Sequence, residues 1–201
     1  GVVPNVNLTM ATGISHQWDH QAHCWRPVID ATGKSSDEQI YIAGDGGGIG
    51  GAKASAIAGR LAASAIVARC GKPRFLAHLY YKLRHLHYLS IRPFLDRLYL
   101  PSADFRLAQT DETIICRCEA VSKAGVNAAL ASGASGPNQL KAFCRAGMGR
   151  CQGRGCGLVV QEMIAFHTGQ SMAETGYYRL RPPVKPITLA ELASLEGPWP
   201  D

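Results

Sequence analysis

Four of the seven cysteines in this chain fall into two tight pairs, Cys116 and Cys118 in "CRC" and Cys151 and Cys156 in "GMGRCQGRGCG". No other feature restricts the fold as strongly, because four sulfurs at such spacing must be gathered around something or left as reactive thiols. An odd cysteine total and uneven spacing do not fit a secreted disulfide framework. They fit metal or cluster ligation in a reducing compartment. Both pairs lie at loop-to-helix transitions, where free backbone N–H groups and the positive end of a helix favour a negatively charged ligand. An iron–sulfur cluster held by four thiolates is one such ligand, with the glycines letting the backbone approach the sulfides and Arg117, Arg145, Arg150 and Arg154 offsetting charge. A structural zinc also takes four cysteines, but its sites favour C-x₂-C knuckles, whereas this chain has C-x-C and C-x₄-C. Both readings stay open on spacing alone. Cys24, Cys70 and Cys144 read as structural, Cys144 sharing an apolar helix face with Leu140 and Phe143.

The 201 residues, 46% of them hydrophobic, suffice for one large or two small packed domains. Lys53, Arg60 and Arg69 interrupt the one long Ala/Ile/Leu-rich run, so no membrane span is expected. The start, "GVVPNVNLTM", lacks a basic end followed by an apolar core, so the chain reads as cytoplasmic. It has no initiator Met and begins as if inside a strand, which suggests a fragment or a processed subunit. Between residues 72 and 97 six cations, Lys72, Arg74, Lys82, Arg84, Arg92 and Arg97, face one acid, Asp96. Without a Gly/aromatic RNA-binding signature, this stripe reads as a solvated face or subunit contact, and no nucleic-acid partner is expected.

The pattern predicts an α+β chain. The runs "VVPNVNL" and "WRPVID" read as strands, and Ile40 to Ala43 as a strand leading through "GDGGGIGG" into a helix with Ile57, Leu61 and Ala65 inward. Leu76, Leu79, Tyr80, Leu83 and Leu86 mark an amphipathic connector helix with one buried face, and a shorter helix follows Pro93. Three helices then form a small all-helical module. Ser122 caps the first, with Val126 and Leu130 inward; Gly136 and Pro137 open the second; the third buries Val159, Met163 and Phe166 and closes at Gly169. The tail is extended and Pro-rich, then offers a capping box at Thr188 and Glu191. The divisions expected are 1–71, 72–110, 111–170 and 171–201.

The glycine loop contains G-x-G-x-x-G at Gly46, Gly48 and Gly51, but no second strand ending in an acid follows, so a complete dinucleotide-binding βαβ unit is not expected. The better role belongs to Asp45, a strand-end carboxylate able to accept hydrogen bonds from a sugar-alcohol chain, with the helix start near Gly50 to Ala52 facing an electron-rich ring edge. His16, His20, His23 and Cys24 fall within one short segment and could be drawn together as a metal site. With two tryptophans and no helical pattern to align the histidines, ordinary structural roles are expected of them.

The runs "TIICRCEAVS" and "GPNQLKAFCRAGMGRCQGRGCG", with "GYYRLRPPVKPITLAEL", "RPFLDRLY" and "YIAGDGGGIGGA", resemble the bacterioferritin-associated-ferredoxin-like 2Fe–2S domain and its surroundings in opine oxidase A subunits and in related hydrogen cyanide synthase and amino-acid dehydrogenase subunits. The resemblance covers essentially the whole chain. It implies the C-terminal portion of an FAD-binding α/β domain followed by a 2Fe–2S module, with Cys116, Cys118, Cys151 and Cys156 as ligands. It implies FAD contacts at Gly44, Asp45, Gly46, Gly50, Gly51 and Ala52, completed by an FAD-binding segment that this sequence lacks. The implied function is electron transfer between flavins in a multi-subunit oxidoreductase, with the opine or amino acid oxidised on a flavin-containing partner subunit. The alternative is a zinc-stabilised binding module. No acid/base constellation for substrate oxidation is visible.

Overall fold

A computed structural model describes residues 2–195. Within them helices predominate over two small antiparallel sheets. The expected first strand is absent: residues 2–6 are irregular and lead into α1 (Asn7–Ala11). Pro4 has no N–H to give a ladder, and the Asn5 side chain accepts the Asn7 N–H at 3.2 Å, starting the turn that becomes helix.

Strands β1 (His16–Asp19) and β2 (Cys24–Pro27) pair with Trp18 opposite Trp25. Asp19 shapes the turn between them, its Oδ1 accepting the N–H groups of Gln21 and Ala22 at 2.9 and 3.0 Å. Only the first part of "WRPVID" is therefore strand, and Ile29 makes a single bridge to Ser35. The expected strand before the glycine loop is likewise reduced to one bridge, Lys34 to Tyr41. Helix α2 (Ala52–Arg69) buries Ala54, Ile57, Leu61 and Ala62, while Ala65 is half-buried.

Helix α3 (Phe75–Leu89) runs against α2 with the opposite face from that expected. Its half-buried residues include Ala77, His78, Tyr81 and His85, and His78 Nδ1 meets Ser64 Oγ at 2.9 Å. Leu76, Leu79, Tyr80, Leu83 and Leu86 point outward, Leu76 being 80% exposed. Periodicity located the apolar stripe but not its partner, since α3 turns toward α2 the face on which His78 meets Ser64. Helices α4 (Arg92–Leu98) and α5 (Ala103–Arg106) extend this face with exposed Phe94, Leu98 and Phe105.

The module expected to be all-helical includes a hairpin of β3 (Ile114–Cys116) and β4 (Val121–Ser122), which presents Cys116 and Cys118. Ser122 then caps α6 (Lys123–Ala131), accepting the Gly125 N–H at 3.3 Å. Pro137 opens α7 (Pro137–Cys144), and α8 (Gly157–Thr168) follows the glycine loop and ends at left-handed Gly169. Val126, Leu130, Leu140, Val160 and Ile164 form the core with Met163 and Tyr178. The inward face of α8 is thus Val160, Met163 and Ile164, and Phe166 is 78% exposed; Phe143 on α7 also faces out. An almost uniformly apolar helix carries two plausible stripes, and packing selects between them.

Helix α9 (Met172–Thr175) has a Ser171/Glu174 capping box, and α10 (Leu189–Ala193) has the expected box at Thr188 and Glu191. The first residues and the module are joined by side chains. Trp25 Nε1 donates to the Oε1 of fully buried Gln161 at 3.0 Å, and Glu162 pairs with Arg106 at 2.8 Å and with His23 at 3.5 Å. Among the described residues no helix is long and apolar enough to cross a membrane.

Candidate functional site

The hairpin and the glycine loop bring the cysteines together in two pairs. Cys118 lies beside Cys151, and Cys116 beside Cys156, which also feels the charge of Cys151. None is in a disulfide. Cys116 and Cys156 are buried, whereas Cys151 is half-buried and Cys118 exposed, so the site runs from the core to the surface. Its backbone is closely fitted. A Cβ on Gly149 would stand 2.2 Å from the Cys118 Cβ.

The two sides differ electrostatically. Burial pushes the Cys156 thiol up to about 12, and the neighbouring Cys116 and Cys151 push the same way. At Cys151 burial acts upward too, but the Gly155 N–H, the Cys118 thiol and the Gly153 and Arg154 N–H groups together hold it below the ordinary thiol value. A nest of backbone donors thus favours thiolate at Cys151, while Cys156 becomes a thiolate only with a compensating cation. Of the four arginines expected to offset charge, Arg145 is paired with Glu119 at 2.7 Å, and Arg154 donates to the carbonyls of Cys151 and Val184. Arg117 and Arg150 are exposed.

The remaining cysteines stand apart in role. Cys144 is half-buried, its Sγ donating to the Leu140 carbonyl at 3.4 Å, so it keeps a helix partner although its neighbour Phe143 faces out. Cys24 is buried, which raises its thiol to about 11, with Asp19 adding to the effect. Cys70 is exposed just past α2. Nor do the histidines converge: His16 bonds Thr9 and the Ile14 carbonyl, His20 is exposed, and His23 faces Glu162. Among the described residues no three His, Cys, Asp or Glu side chains are grouped as for one metal ion.

In the glycine loop Asp45 Oδ1 accepts the N–H groups of Gly50 and Gly51, both at 2.9 Å, and the Ser55 hydroxyl at 3.0 Å. The Gly50 bond above all holds its carboxyl below the usual value. Asp45 therefore pins the start of α2 through one oxygen, and those three bonds leave Oδ2 available. A cavity of about 600 Å³ lies alongside, walled by Gly44, Gly47, Gly48 and Gly50 and by Lys82, His85 and Arg92 of the connector. Asp45, Gly46, Gly51 and Ala52 do not line it.

Two residues that the sequence did not single out complete the cysteine site. Tyr177 and Tyr178 come from the start of the tail, and Tyr178 is 3% exposed against the glycine loop. Their signal, "GYY", is visible in the sequence, but nothing local says which loop they cover.

Residues 110–195 match the sarcosine oxidase A3 domain family. The opine oxidase A subunit of Rhizobium meliloti is 44% identical over 200 residues, which is 97% of this chain and 38% of that protein. Its counterpart in Agrobacterium tumefaciens (strain Ach5) is also 44% identical, over 97% of this chain and 40% of its own length. The chain is similar to the opine oxidase A subunits along nearly its whole length. More distantly, the HcnB subunit of hydrogen cyanide synthase from Pseudomonas protegens is 30% identical over 93% of this chain and 40% of its own. The fold matches part of an L-proline dehydrogenase from P. horikoshii with a TM-score of 0.73, at 24% identity, over 96% of this chain and 37% of that one. The chain thus spans about two fifths of the length of the curated relatives it matches.

Proposed function

We propose that this chain is the electron-carrying part of a multi-subunit flavoprotein oxidoreductase acting on an opine or a related amino or imino acid, with Cys116, Cys118, Cys151 and Cys156 holding a 2Fe–2S cluster. The similarity to opine oxidase A subunits supports the enzyme class. The observation that carries the cluster is the pairing of the sulfurs. The hairpin and the glycine loop bring Cys118 beside Cys151 and Cys116 beside Cys156, and a two-iron cluster takes two thiolates at each iron. When bound, the cluster supplies one-electron transfer and a flavin supplies two-electron chemistry.

The chain's own residues then have defined tasks. The N–H groups of Gly153, Arg154 and Gly155 stabilise negative charge at Cys151. The buried Cys116 and Cys156 exclude water from the inner edge, and the exposed Cys118 leaves an outer edge where a partner can approach. The glycine loop forms part of an FAD site, completed by residues outside this sequence. Its support is the cavity beside the loop, walled by Gly44, Gly47, Gly48 and Gly50 with Lys82 and with Arg92, which pairs with Asp96 while its Nε is buried without a hydrogen-bond partner among the described residues. Substrate oxidation belongs to a flavin-containing partner subunit.

The test uses the assembled enzyme under anaerobic conditions. Adding the amino-acid or opine substrate bleaches the cluster's visible bands. In Asp45→Ala the FAD content falls by about tenfold, matching a lost hydrogen bond to a buried group, while iron stays at the parent level and substrate still bleaches the cluster through the partner subunit's flavin. Unchanged FAD in this variant removes Asp45 from the flavin site, and cluster bands that ignore substrate in the parent enzyme contradict the electron-carrying role.

A further inference from the structure

Where the tail passes the cysteine loop it helps to build a second cleft, of about 690 Å³. Three segments wall it with cations: α7 gives Lys141, the loop gives Arg150, and the tail gives Arg179, Arg181 and Lys185. Among the described residues no acid lines this cleft, and none of the five cations makes an ion pair. Their neighbours differ, since Arg145 pairs with Glu119 and Arg154 donates to two carbonyls.

Gathering like charges is unfavourable, and the fold holds them together all the same. The Asn138 side chain accepts the Arg179 N–H at 2.8 Å and donates to the Tyr177 carbonyl at 3.4 Å, and Arg154 donates to the Val184 carbonyl at 2.8 Å, so the tail is fixed against α7 and the loop. Lys141 Nζ lies over the Tyr178 ring, 5.7 Å from its centroid. Burial holds the Lys141 ammonium below the ordinary lysine value, and the Arg181 charge pushes the same way. Negative charge supplied from outside the described residues relieves this repulsion.

The position of the cleft indicates which anion it meets. Met148 and Arg150 on its wall flank Gly149, and Gly149 is fitted against Cys118, the exposed sulfur of the four. The basic cleft therefore adjoins the outer edge of the cysteine site. Arg150, Arg179, Arg181 and Lys185 are exposed, as the cations of an electrostatically steered docking surface are, and Met148, 44% exposed, adds an apolar contact. A nucleic acid would call for aromatic side chains on which to stack its bases, and among the described residues none lines the cleft.

We propose that this cleft docks an acidic face of the protein that exchanges electrons with the cysteine site, the partner's carboxylates pairing with Arg150, Arg179, Arg181 and Lys185 beside the Cys118 edge. The electron exchange rests on the cluster reading above; the acidic docking does not.

The experiment compares the full chain with two variants of equal net charge, Arg179→Glu/Arg181→Glu in the cleft and Lys72→Glu/Arg74→Glu ahead of α3. All four side chains are exposed and outside the ion pairs of the described residues, so iron content and far-UV circular dichroism stay at the parent level in both. Binding of a short fluorescent poly-L-glutamate, read by anisotropy at low salt, weakens about tenfold in the cleft variant and less than about twofold in the other. Equal weakening in the two, which net charge alone would give, overturns the proposal. So does a parent chain that binds oligo-dT or inorganic tripolyphosphate but not poly-L-glutamate. In stopped flow, reoxidation of the reduced chain by ferricyanide, a trianion that takes one electron, slows about tenfold in the cleft variant alone, while the cation hexaammineruthenium(III) is not slowed. Ferricyanide rates that match the parent's overturn the electron exchange at this cleft. A parent chain without iron that still binds poly-L-glutamate through the cleft overturns the cluster reading and supports the acidic docking, so the two failures are told apart.

Discussion

Replacing Cys116, Cys118, Cys151 or Cys156 by alanine, one at a time, empties the site of iron, while Cys144→Ala keeps the iron content of the parent chain. Sequence distance argues for the reverse, since Cys144 is nearer to Cys151 than Cys118 is. The fold outweighs distance. The hairpin carries Cys118 to Cys151 and Cys116 to Cys156, and the Cys144 sulfur instead donates to a carbonyl of its own helix. Removing one of the four leaves an iron short of a ligand and the other buried sulfurs without their compensating charge, so the module loosens as the site empties. Cys144→Ala removes one half-buried sulfur at a cost of about 1–2 kcal/mol. Iron analysis of the five purified variants decides it: an empty Cys144→Ala beside a full variant among the other four contradicts this ligand set.

Gly147→Ala destabilises the chain by about 2–5 kcal/mol, a large share of a domain's stability. Two costs add. Gly147 has φ +90°, a conformation that an L-residue adopts only with strain, about 1–2 kcal/mol. The added methyl would also sit 2.5 Å from the buried Tyr178 ring, and forced overpacking of that kind costs about 1–3 kcal/mol. Gly155→Ala is the matched control in the same loop. Its φ is ordinary and no atom lies within 4 Å of the added Cβ, so the change stays within about 0.5 kcal/mol. Urea unfolding of both variants measures the difference, and equal losses at the two positions contradict the tyrosine–glycine packing.

These two glycines show what the sequence could and could not display. Local chemistry was legible: the Ser122 cap, the Gly136–Pro137 start, the Gly169 stop and the Thr188/Glu191 capping box all stand where their residue types place them. Each depends on a few neighbouring residues. The two tight cysteine pairs were visible in the sequence for the same reason. Which sulfur meets which was not, because that depends on how the hairpin docks on the loop. Docking also decided the buried faces. Helix α3 turns His78 and His85 inward and its leucines outward, and α8 buries Val160 and Ile164 beside a partly buried Val159 while Phe166 faces out. The strands expected near residues 2–8 and 40–43 failed for another reason: an Asx turn and a proline start a helix in the first, and the second finds only one bridging partner. The Tyr177–Tyr178 cover was invisible, since a contact made across more than twenty residues leaves no periodic trace.

Many large apolar side chains of α3 to α5 are exposed among the cations Arg74, Lys82, Arg84 and Arg97.

Metal and acid-labile sulfide analysis of the anaerobically purified chain tests the central claim most directly. About two irons and two sulfides per chain, in red-brown protein with charge-transfer bands, are the result expected of a 2Fe–2S site on Cys116, Cys118, Cys151 and Cys156. One zinc per chain in colourless protein, with neither iron nor sulfide, contradicts it.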